Sequence, residues 1–158
     1  MHYLIRLIVE ANTAAEANAQ SDSVMMDLIE WREFDWYQTD PAESGWEECW
    51  KPKRLNSELG LMWVNDAIDA QFNEFKECMR SIRDMVGSYS DAQIFEEEFE
   101  NNQSARLSRY YFSKASGYHA NACQLYDNGG SSITNRRELE YYLKATENLW
   151  VVQVDCHN

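Results

Sequence analysis

The chain's three histidines and four cysteines are its best-suited residues for metal ligation or nucleophilic attack, and they are thinly spread. His2 and His157 lie at opposite ends of the 158 residues, the second beside Asp155 and Cys156. If the first and last segments pair as antiparallel strands, alternation puts His2, Asp155 and His157 on one face of the sheet and Cys156 on the other. Two imidazoles and a carboxylate suit Zn²⁺ or a similar ion. Both histidines sit within two residues of an end, where fraying is usual. Solvated terminal histidines are therefore the expectation, with no resident metal or other cofactor.

The remaining nucleophile pair fails on geometry. His119 and Cys123 on one strand would share a face but stand about 13 Å apart at about 3.3 Å per residue, beyond hydrogen-bond reach. Nothing favours His119 beside Cys49, Cys78 or Cys156. The four cysteines show no CxxC or other metal-type spacing and read as free thiols packed as small hydrophobes. Carboxylates are too numerous for any pair to stand out, and the run 96–98 reads as a solvated helix end. GxSxG, HExxH, GxGxxG and the P-loop are all absent. Asp127-Asn128-Gly129-Gly130 lacks the spaced acids and final glutamate of a calcium loop and reads as a turn. There is no catalytic signature, and the reading leans away from an enzyme.

A recognition surface is the better-supported chemistry. Residues 31–50, WREFDWYQTDPAESGWEECW, hold four of the six tryptophans and six carboxylates. In the front half, Phe34 and Trp36 are expected on a buried strand face, with Asp35 and Tyr37 on the other. In the loop from Pro41 to Pro52, Trp46 and Trp50 are the expected partner-binding anchors, flanked by Glu43, Glu47 and Glu48. The competing reading is that these indoles cover the core edge beneath the loop.

The net charge of −13 is uneven. Residues 1–50 carry eleven acids against Arg6 and Arg32, and residues 51–100 eleven acids against six bases. Residues 101–158 carry five acids against six bases. An acidic field repels nucleic acid and anionic membrane and favours a basic protein surface. Colloidal solubility and adaptation to high salt would produce the same charge. Arg106, Arg109 and Lys114, interleaved with Tyr110, Tyr111 and Phe112, resemble a nucleic-acid patch. Three bases in so acidic a chain are expected instead to pair with its acidic N-terminal region.

The elements that position these groups follow from periodicity. Residues 3–9 alternate as a strand whose second face mixes charge with apolar groups, so that face is expected to be only partly covered. Thr13 and Glu16 form a capping box opening a helix through Leu28, and residues 34–39 read as a second strand. Leu61, Val64, Ile68, Phe72, Phe75, Met79, Ile82 and Val86 mark a helix of about seven turns, with Gly87 at the expected cap. Ser90 and Gln93 cap a short acidic helix. Residues 105–117 are open between helix and strand, and 118–127 alternate as a strand. Asn135 and Glu138 cap a last helix, and 149–156 form a closing strand.

This order specifies one α+β domain over 1–158 with a ferredoxin-like (split β-α-β) antiparallel sheet. Its halves would be 1–40 and 105–158, around a loop and helical insertion at 41–104. The leading functional expectation is a non-enzymatic acidic protein-interaction module, such as an inhibitor occupying a basic nucleic-acid-binding groove. It would not bind nucleic acid directly. The alternatives are a small metal- or ligand-binding enzyme using the open sheet face, and a homodimeric structural domain. With no long apolar run and no signal-peptide pattern, the expected compartment is the cytoplasm and no membrane contact is expected.

Overall fold

Alternation makes the first strand, β1 (His2–Glu10), two-sided: Ile5, Leu7 and Val9 are buried on one face, and Arg6 and Ile8 on the other. The computed structural model describes residues 2–31, 33–39, 50–99, 108–116, 124–145 and 148–157. After β1 the chain runs through α1 (Ala14–Glu30), β2 (Trp36–Gln38), β3 (Lys53–Arg54), α2 (Glu58–Ser88) and α3 (Asp91–Glu96). It continues through α4 (Ser108–Ala115), β4 (Gln124–Tyr126), α5 (Arg136–Lys144) and β5 (Leu149–His157). The described residues thus form a mixed α+β protein with one five-stranded sheet and five helices.

The sheet order is β2-β5-β1-β4, with β3 also paired to β5. β1 and β5 are antiparallel from His2↔His157 to Glu10↔Leu149, the pairing expected of first and last strands. β2 takes the C-terminal end of β5 and β3 its N-terminal end, both antiparallel. β1 and β2 therefore run parallel with β5 between them. β4 lies parallel to β1, from Ile5↔Gln124 to Leu7↔Tyr126, so the sheet is mixed and not antiparallel throughout as expected.

The turn after β4 is the cause. The Asp127 Oδ1 accepts from the Gly129 and Ser131 N–H groups, both at 2.9 Å, so the chain doubles back. Ser132 bridges to Tyr126, and the Ile133 N–H donates to the Leu125 carbonyl at 2.7 Å. This extra reversal before α5 brings β5 in antiparallel to β4.

Two apolar clusters flank the sheet. On one face Ile5, Leu7, Val9, Val152, Val154 and Cys156 meet Ala17, Val24, Met25 and Leu28 of α1. On the other, Ile8, Leu125 and Val151 meet Trp63, Val64, Ala67 and Ile68 of α2 and Leu139 of α5. Each such aliphatic side chain contributes about 1.5–3 kcal/mol on full burial. Arg6 is buried on this second face, its Nε donating to Gln153 Oε1 at 3.0 Å and its NH1 to the Trp63 carbonyl at 2.6 Å. Beyond Arg6 burial falls off through Leu4 and Asp155 to His157, as the mixed pattern of this face led one to expect.

The chain divides into two compact units, residues 1–70 with 122–158, and residues 71–121. β3 pairs with β5, and residues 53–70 fall in the first unit. In the second unit Met85 and Phe99 pack with Tyr89 and Ile94, the rings of Tyr89 and Phe99 edge to face at 4.9 Å. Ser90 and Gln93 form the expected capping box of α3. α2 continues to Ser88, so Gly87 is its penultimate residue and not a cap. The ambiguous segment 105–117 contains helix α4.

Candidate interaction surface

Helix α1 turns Ala17, Ser21, Val24, Met25 and Leu28 to the sheet, so Met26, Asp27 and Glu30 face outward. Thr13 Oγ1 accepts from the Glu16 N–H at 3.1 Å, and Glu16 Oε2 accepts from the Asn12 N–H at 2.8 Å, satisfying two donors at its start. Its other end is built against the usual rule. The last turn carries Asp27 and Glu30 and no base, where the helix dipole favours cations.

Trp31 caps this end, its N–H bonded to the Asp27 carbonyl at 2.9 Å. Its ring rests over Gly130, where a Cβ would lie 3.0 Å from the indole, and 57% of the residue stays exposed. Met26 is 61% exposed and Trp36 is 43% exposed. Glu33 and Asp35, both exposed, lie between the two tryptophans in sequence. Between Arg6 and Lys51 the sequence holds a single base, Arg32, which lies outside the described residues. The described residues from 7 to 39 thus expose aromatic and acidic side chains and include no Lys or Arg.

Trp36 was expected beside Phe34 on the buried face, and the structure corrects this. Phe34 is buried, edge to face with Tyr126 at 6.3 Å, but it precedes the strand. The register Trp36↔His157 sets Trp36 on the face opposite α1. Tyr37 turns instead toward α1 and donates to Asp22 Oδ1 at 2.7 Å. Burial first, then that hydrogen bond, pushes its phenol up to about 12.

The other sequence-based sites fare differently. Trp46, Glu43, Glu47 and Glu48 lie outside the described residues, and Trp50 is half-buried. His2 does fall opposite His157, with Asp155 opposite Leu4 on the same face. The His157 Nδ1 lies 3.0 Å from Asp35 Oδ1, a partner on the β2 side that sequence reasoning missed. Among the described residues no group of three His, Cys, Asp or Glu side chains is arranged to hold a metal ion. Cys78 and Cys156 are free and buried, and burial pushes both thiols up. Cys49, His119 and Cys123 are outside the described residues. Of the basic cluster, Arg106 and the Arg109 side chain are likewise outside. Lys114 is paired with Glu74, in the middle of the chain and not in the acidic N-terminal region expected. No described helix is long and apolar enough to cross a membrane.

The described residues form a small acidic α+β protein with Trp31 exposed at the end of α1 and Trp36 exposed on the sheet face opposite that helix. A family model, Domain of unknown function (DUF7995), matches residues 1–158, and the chain belongs to that family. No curated protein and no solved structure matches it.

Proposed function

We infer that this protein is a non-enzymatic interaction module that docks on a basic protein surface. The supporting observation is the exposure of Trp31, Trp36 and Met26 in a stretch of chain that also exposes Asp27, Glu30, Glu33 and Asp35 and holds no described base. Indoles supply area and rigid anchoring, while the carboxylates steer a cationic partner and select against anionic ones. Trp50, and Trp46 with Glu43, Glu47 and Glu48 outside the described residues, would add further anchors and carboxylates for the same partner. A partner whose basic groove normally takes nucleic acid fits this chemistry, the carboxylates standing in for phosphates. The protein would then act as its inhibitor.

The test uses a panel of basic nucleic-acid-binding domains, with binding measured at low and high NaCl and in competition with duplex DNA. Expected is binding to at least one domain that weakens steeply with salt and is displaced by DNA. The double variant Trp31→Ala/Trp36→Ala should weaken it at least about tenfold, as loss of anchor residues does. Salt-insensitive binding, or equal binding by the tryptophan variant, would overturn this reading.

A further inference from the structure

A pocket of about 440 Å³ opens in the first unit where the residues after β3 face the end of α5 and the start of β5. That size lies within the ~300–1,000 Å³ usual for small-molecule sites. Its lining holds apolar groups, among them Leu55, Leu61, Leu143 and Leu149, together with the polar side chains of Arg54, Asn56 and Asn148.

Arg54 is held with unusual care for a cation in an acidic protein. Its guanidinium lies 4.3 Å from the ring centre of Trp150, which is itself fixed by a 2.7 Å bond from Nε1 to the Ala11 carbonyl. NH1 donates to Asn148 Oδ1 at 3.1 Å and NH2 to the Asn12 carbonyl at 3.2 Å. All of these partners are neutral. Among the described residues no carboxylate pairs with Arg54, whereas Arg80, Lys114, Arg136 and Lys144 each pair with one. Two of its five N–H donors are used, so a planar anion still finds open donors on a group already held in place.

The backbone around it is equally fixed. The Arg54 carbonyl accepts from Ser57 Oγ at 2.6 Å, and Asn148 holds a left-handed backbone with φ 39° while its carbonyl accepts from the Ala11 N–H at 3.0 Å. Strain of this kind persists only where surroundings impose it, and it is frequent at ligand sites.

We propose that this pocket binds a monoanionic amphiphile, a carboxylate carrying a short aliphatic chain, with the head on Arg54 and the tail along the four leucines. One guanidinium matches one carboxylate, and a net charge of −13 opposes any more highly charged anion. The site lies at the Leu149 end of β5, whereas Trp36 pairs at its His157 end, and the proposal stands independently of the interaction reading.

The test is calorimetric titration of the full chain with sodium octanoate, 1-octanol and inorganic phosphate. Octanoate should bind at one site and phosphate far more weakly. Arg54→Gln should weaken octanoate at least about tenfold, the loss of a charge-assisted bond, and leave octanol within about twofold. Leu143→Asn, at an exposed position of α5, adds no charge beside Arg54 and should weaken octanoate and octanol alike. The proposal is overturned if octanoate does not bind the unaltered chain, if phosphate binds as well as octanoate, or if either variant binds octanoate like the unaltered chain.

Discussion

Gly60, near the start of α2, packs directly against the backbone of Arg54 and Leu55. A Cβ built there would lie 2.1 Å from the Arg54 carbonyl oxygen and 3.0 Å from the Leu55 carbonyl oxygen. Those are main-chain atoms, fixed by β3 pairing, and cannot swing aside. Gly60→Ala should therefore cost about 1–3 kcal/mol or more, although alanine is the better helix former. Urea unfolding measures it, and a variant as stable as the parent would deny the close approach. Tyr37 and Tyr142 set a second expectation. Burial first, then a hydrogen bond to Asp127 Oδ2 at 2.8 Å, pushes Tyr142 up to about 12, like Tyr37. Both phenols ionise less readily folded than unfolded. Their contribution is intact below the unfolded value of about 10 and disappears as pH rises through about 12. Stability should fall across that window, and less steeply in Tyr37→Phe; an identical profile in the variant would remove Tyr37 as a contributor.

Helix α1 shows what stability is given up for charge. Asp27 and Glu30 sit at the negative end of its dipole, so Glu30→Lys should stabilise the fold by about 0.3–1 kcal/mol. The same change should weaken docking to a basic partner. Thermal unfolding and the binding assay read the two effects separately, and gain in stability with no loss of binding would take Glu30 out of the interface.

Element by element, periodic signals were legible and pairings less so. The long strands, the caps at Thr13, Ser90 and Asn135, and the antiparallel register of β1 with β5 follow from local pattern. The parallel seating of β4 does not, because it depends on the doubling back at Asp127, a choice made by turn geometry after the strand. Nor could alternation place Trp36, since the strand begins there and Phe34 lies ahead of it. Arg54 was invisible as a site because its neighbours, Asn12, Asn148 and Trp150, are 42 to 96 positions away in the chain.

For the molecule as a whole, 27 acids against 14 bases imply self-repulsion in the folded state. Added NaCl, which shortens the screening length to about 8 Å at 0.15 M, should raise Tm at pH 7 while it weakens docking. A Tm that falls with NaCl would show that ion pairs such as Lys114–Glu74 outweigh the repulsion.

The position of β5 between β1 and its edge partners has a consequence in time. β1 has two neighbours, β4 and β5, and the nearer of them starts at residue 124. At about 5–20 residues per second, a ribosome exposes both edges of β1 for roughly 6–25 s before either neighbour emerges. An apolar strand with bare edges is a template for wrong pairing. A nascent chain halted before Leu149 should leave β1 open to protease and to chaperones, and release through His157 should close it. Synthesis order thus makes the earliest strand the last to be safe.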